Sequence, residues 1–155
     1  VFMGKYFGAR QEDDSLYAKE GYLDFQKTAQ STNFKAGVAN VLKGIGAGNR
    51  IALMCTEKDP IECHRAILVG KAFWDIGVDV EHIMPDASLQ RQDFLNERLM
   101  NLYYPDRAQI NLFSENNLSE EECLRLSYMK QNQKIGYHKD EGWTKKSEEK
   151  KSIAI

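Results

Sequence analysis

Apolar residues recur at helical spacing along much of this chain, interrupted by two short apolar runs. From Leu16 the spacing of Leu16, Leu23 and Phe25 among polar neighbours predicts a helix. A second helix is predicted over about 33–44, with Phe34, Val38, Val41 and Leu42 as its stripe and Thr32 as its cap. Gly44, Gly46 and Gly48 then break it. Arg50-Ile51-Ala52-Leu53-Met54 reads as a buried strand, and Asp79-Val80-Glu81-His82-Ile83-Met84 as another. Between them, Asp59-Pro60-Ile61-Glu62 is a strong helix start: a cap, a proline at the first position, and a glutamate three residues on. That helix should run to about Ile76 and stop at Gly77. Pro85-Asp86 turns the chain into a helix over about 88–102 carrying Leu89, Phe94, Leu95 and Leu99.

Strand, helix, strand at this spacing is a βαβ unit, so the expected class is α/β. It would have a parallel β-sheet core flanked by helices, plus a helical C-terminal extension. The core is expected over 1–104 and the extension over 105–136, with Ser119-Glu120-Glu121-Glu122 opening a helix to about Gln133. A short strand is expected at 109–113, and a charged, disordered tail over 137–155. Gly4 to Asp14 reads as a loop. Val1-Phe2-Met3-Gly4 looks like the end of a strand already under way, which suggests that a piece precedes it.

Composition narrows the functional classes. Of 155 residues, 42% are hydrophobic and 28% charged, with a net charge of −2. That balance does not single out a nucleic-acid or membrane binder. Tyr103-Tyr104, Trp143 and the Lys-rich tail leave a nucleic-acid partner open. No apolar run is long enough for a membrane span, and no signal-peptide pattern is present. Three cysteines argue for reduced thiols and a cytoplasmic location.

The chemistry-bearing residues gather at Cys55 to Arg65. Cys55 ends the first predicted strand, and four residues later a capped helix begins. Ligands of open α/β sheets bind at such junctions, where free N–H groups and the helix dipole favour an anion and a thiolate. On this reading Cys55, Glu57 and His64 are the candidate catalytic residues. Arg65, Cys63, Lys58 and Arg10 are the candidate ligand-binding ones. Cys63 falls on the buried stripe with Ala66, Ile67, Gly70, Phe73 and Trp74, which predicts a packed, inert thiol. His64 shares a wetter face with Lys71 and Asp75. Plainer readings stand beside these. Cys55 could be a small apolar residue closing a strand, and Arg65 could pair with Glu57, Glu62 or Asp59. Cys55, Cys63, His64 and His82 are possible metal ligands, but the Cys-x7-Cys-His spacing fits no standard zinc pattern, so no metal is expected. Which cofactor the site would take, if any, is unknown from the sequence.

The string Ile51-Ala52-Leu53-Met54-Cys55-Thr56-Glu57-Lys58-Asp59-Pro60-Ile61-Glu62-Cys63-His64-Arg65 resembles the signature of the domain-of-unknown-function family 488. Phe2-Met3-Gly4 through Phe7-Gly8-Ala9-Arg10 is similar to its upstream glycine motif, and Val80-Glu81-His82-Ile83 to its next strand. The resemblance spans roughly 2–83. It implies an α/β, bacterial or archaeal, cytosolic protein and a functional role for the Cys-x-Glu and Cys-His-Arg residues. It implies no activity. A further strand and an Asp-x-Arg element usually start the family's members, and neither is seen here. Expected partners are a small anionic or phosphate-containing ligand, with no membrane. The substrate and the oligomeric state are not legible.

Overall fold

The computed structural model describes residues 1–107 and 118–139. The strand expected at 109–113, and the part of the expected tail beyond residue 139, lie outside the described residues. Helices dominate. In chain order they are α1 (Gly4–Phe7), α2 (Phe25–Gln30), α3 (Thr32–Gly46), a π-helix (Arg65–Gly70) running into α4 (Lys71–Asp75), α5 (Gln92–Tyr103) and α6 (Glu120–Ile135). Short 3-10 turns lie at Asp14–Leu16 and Pro60–Glu62.

The expected parallel sheet is not found among the described residues. Among the described residues the one sheet has two antiparallel strands, β1 (Glu81–Ile83) and β2 (Leu89–Arg91), with His82 opposite Gln90. Two features explain the difference. Residues 50–54 run without a ladder partner among the described residues, and Ile51 and Met54 are exposed. The 81–83 strand instead finds its partner across a tight turn, where Asp86 accepts from Ser88 N at 3.0 Å and Met84 N donates to Ser88 O at 2.9 Å. A local hairpin costs less chain entropy than a crossover. It takes residues 89–91 out of the helix expected from Ser88 and leaves Leu89 and Phe94 exposed, while Leu95 and Leu99 are buried.

The opening differs too. Residues 4–7 form a helical turn rather than a loop, Val1 and Phe2 are exposed, and no strand is present there. The helix expected from Leu16 gives way to a 3-10 turn and a bridge between Tyr17 and Leu23, so helix starts only at Phe25. In α3 the cap is Ser31, one residue earlier than expected: its side chain accepts from Phe34 N at 3.2 Å.

The core is a helix-on-helix assembly. Phe34 of α3 meets Phe7 of α1 edge-on, with ring centroids 5.1 Å apart, and Phe7 meets Phe73 at 6.3 Å. The expected stripe of Cys63, Ala66, Ile67, Gly70 and Phe73 is buried, but in a core built of helices, with Gly70 near the small sheet, at His82 of β1. Trp74 is only half-buried. Ser119 caps α6 by accepting from Glu122 N at 3.1 Å, as its sequence implies, and α6 packs along α5. A buried polar chain ties these parts together. His82 and Gln92 Oε1 lie 2.7 Å apart, Gln92 donates to Tyr128 Oη at 2.8 Å, and Tyr128 donates to Asn96 at 2.5 Å. Gly70 sits against this chain, since a Cβ there would lie 2.8 Å from Gln92 Oε1.

Candidate functional site

The helix expected from Asp59 to Ile76 is interrupted, and the interruption builds the site. Asp59 caps as predicted, accepting from Ile61 N at 3.1 Å. After the Pro60–Glu62 turn, Cys63 is extended (φ −125°, ψ 133°) before the π-helix begins at Arg65. π-Helical turns are rare and frequent at functional sites. The extended residue lets both Cys63 and His64 reach the preceding loop. An unbroken helix would direct adjacent side chains about 100° apart.

Four side chains converge there. Cys55 Sγ lies 2.8 Å from Glu57 Oε2, 3.5 Å from His64 Nδ1 and 3.8 Å from His64 Nε2. Cys63 Sγ lies 3.2 Å from the same Glu57 oxygen and accepts from Arg65 N at 3.3 Å. One donor atom from each of Cys55, Glu57, Cys63 and His64 lies within 4.8 Å of all the others. Cys55 and His64 are half-buried, Glu57 is exposed and Cys63 is fully buried. Cys63 is therefore packed, as its stripe implied, yet its sulfur belongs to the cluster.

The electrostatics assign charge states. The Cys55 thiol, hydrogen-bonding to Glu57, is the main cause that holds this carboxyl down at about 2, so it stays anionic. Burial is the main cause that pushes the Cys63 thiol up, against the hydrogen bond from Arg65 N and with smaller help from Cys55 and Glu57, so it stays protonated. Burial lowers His64 below its usual 6.5, against the pull of the Glu57 charge, so the ring is neutral near pH 7. A neutral ring can accept a proton, and the Glu57 charge favours the imidazolium that results.

His82 is also lowered by burial. Both folded-state values lie below the unfolded 6.5, so the linked stability is present above that pH and is lost as pH falls through the folded values. Thermal melts from about pH 8 to about pH 5 should stay level above about 6.5 and decline below it. In His82→Gln the decline should be shallower.

The remaining predicted residues separate. Arg65 has none of its expected carboxylate partners. Asp59 is held by Arg98 at 2.8 Å, Glu62 by Lys134 at 2.9 Å, and Glu57 by the thiols. Among the described residues Arg65 Nη2 is buried without a hydrogen-bond partner. Lys58 is exposed and makes no ion pair among them. Arg10 stacks its guanidinium 4.7 Å over the Tyr137 ring. His82 is engaged by Gln92 and is not in the cluster.

The sequence reading missed the residues that fix the loop from outside. Gln131 of α6 donates to Ile61 O at 2.6 Å, and Arg98 of α5 holds Asp59 with both nitrogens. No local pattern marks contacts between positions 70 and 39 residues apart.

A known family covers the segment that carries this cluster. Residues 3–71 match the domain of unknown function DUF488. The DUF488 match includes Arg10, Cys55, Glu57, Lys58, Cys63, His64 and Arg65, so every candidate site residue lies inside it. It ends at Lys71, before the 80–83 segment that the sequence resemblance had included. Arg98 and Gln131, which brace the loop, lie beyond it. Comparison with curated proteins and with solved structures gives no match. Among the described residues no helix is long and apolar enough to cross a membrane.

Proposed function

We propose that the Cys55–Arg65 junction is the reactive-thiol site of a cysteine-dependent enzyme acting on a small anionic substrate. The observation that carries this reading is Cys55 Sγ at 3.5 Å from a neutral imidazole, beside an ionised carboxylate. A nucleophile within reach of a base, with a third group favouring the charged base, is the arrangement that activates a thiol. In the step proposed, the Cys55 S–H turns from Glu57 Oε2 towards His64, and its proton passes to the free nitrogen of the ring. The sulfur bonds to the electrophilic centre of the substrate, and the leaving group departs with the proton of the imidazolium. Glu57 stabilises that imidazolium by charge. Arg65, with Lys58 at the rim, would hold the anionic part of the substrate. A free thiol used this way fits a reducing compartment such as the cytosol.

Alkylation by iodoacetamide at neutral pH, followed by peptide mapping, tests the reading. Cys55 should react faster in the folded chain than in the chain unfolded by denaturant. A Cys55 that is no faster when folded would make it structural.

A second reading is supported by Arg65 Nη2, buried and without a hydrogen-bond partner among the described residues: a non-catalytic binding module for a nucleotide or nucleic-acid phosphate. On that reading Cys55→Ser keeps nucleotide binding and Arg65→Ala loses it. Loss through Cys55→Ser alone would favour the enzyme.

A further inference from the structure

We propose that Cys55, Glu57, Cys63 and His64 form a binding site for a zinc-class divalent cation. This goes beyond the thiol reading and does not depend on Cys55 being a nucleophile.

The donors are two sulfurs, one imidazole nitrogen and one carboxylate oxygen, all within 4.8 Å of one another. With zinc bond lengths of about 2.0 to 2.3 Å, the edges of a tetrahedral site span about 3.3 to 3.8 Å. Two edges fall just short of that range and one falls inside it: Cys55 Sγ to Glu57 Oε2 is 2.8 Å, Cys63 Sγ to the same oxygen 3.2 Å, and Cys55 Sγ to His64 Nδ1 3.5 Å. Side-chain adjustments on the order of 1 Å would close a tetrahedron around an ion. Soft sulfur with borderline nitrogen selects zinc-class ions over magnesium or calcium.

The support around the donors is already built. The Cys-x-Glu and Cys-His pairs are joined by residues 58–62, whose turn is held by the Asp59 cap, by Arg98 and by Gln131. Arg65 N donates to Cys63 Sγ at 3.3 Å, the kind of second contact that orients a ligand sulfur. Glu57 is exposed and Cys55 half-buried, which leaves an ion a way in. The spacing test applied to the sequence left Glu57 out of the ligand set. With it, the ligands fall as two close pairs on two segments.

The charge balance is simple. On binding, the Cys55 and Cys63 thiols lose their protons to solvent and two metal–sulfur bonds form. His64 gives a nitrogen lone pair and Glu57 a carboxylate oxygen. Nothing is oxidised or reduced. Metal binding should therefore weaken as the pH falls.

The test is a cobalt(II) titration of the chelator-treated, reduced chain, followed by competition with zinc(II). One equivalent should produce the intense visible bands of a tetrahedral ion and a thiolate-to-cobalt charge-transfer band, and zinc should bleach both. Cys55→Ser, Cys63→Ser and His64→Gln should each weaken binding by at least roughly tenfold. Cys123→Ser, in α6 and outside the cluster, should not. Only the faint spectrum of an octahedral ion, or binding indifferent to Cys55 and His64, overturns the proposal. If Cys63→Ser fails to fold, the two less buried variants decide. The two proposals separate cleanly. Tetrahedral cobalt with an ordinary Cys55 alkylation rate in the metal-free chain keeps the metal and removes the nucleophile. The reverse pattern removes the metal alone.

Discussion

Phe34→Ala should lower the free energy of unfolding by about 3 to 5 kcal/mol, measured by denaturant titration. Phe34 is 1% exposed and stands where α3 meets α1. Its ring meets Phe7 edge-on at 5.1 Å, and Phe7 in turn contacts Phe73 of α4. Removing the ring loses its burial and leaves a cavity that neighbours on three helices would have to collapse into together. A loss under about 1 kcal/mol would mean that this layer is loosely packed.

Gln131→Ala should cost about 2 to 4 kcal/mol and loosen the site from a distance. Gln131 is fully buried and makes two hydrogen bonds: it accepts from Tyr103 Oη and donates to Ile61 O, both at 2.6 Å. Truncation leaves a buried carbonyl without its donor, at the turn that carries Cys63 and His64. The expected signature is double, with a lower denaturation midpoint and a changed Cys55 alkylation rate in the still-folded chain. Loss of stability with an unaltered rate would show that the Pro60–Glu62 turn holds its place without α6.

How far the sequence reached depends on what each feature needs. Helix α3 was legible from its 3.6-residue stripe and α6 from its serine cap, both local facts; Ser119 does cap α6, while the α3 cap falls on Ser31 rather than on the expected Thr32. The start at Asp59-Pro60 was legible for the same reason. The parallel sheet was not: an apolar run such as 50–54 states a preference for burial and names no partner. Residues 81–83 took the nearer one. The segment that carries the Cys55, Glu57, Cys63 and His64 cluster stood out in the sequence as a dense string of Cys, Glu, His and Arg. Its form was not, because it turns on one extended residue, Cys63, in what reads as a continuous helix. Nothing local predicts that break. Burying Cys63, Ala66 and Ile67 together while bringing the Cys63 sulfur to Glu57 is a tertiary outcome. The Arg98 and Gln131 braces are tertiary too.

The most direct test of the thiol site is the alkylation rate of Cys55 at neutral pH in the metal-free chain, with His64 and with His64→Gln. The wild-type Cys55 should react faster than it does in the unfolded chain, and His64→Gln should slow it by about tenfold or more while leaving the fold intact. Equal rates in the two proteins would mean that the 3.5 Å approach of His64 to the sulfur does nothing for its reactivity, and the catalytic reading would fail.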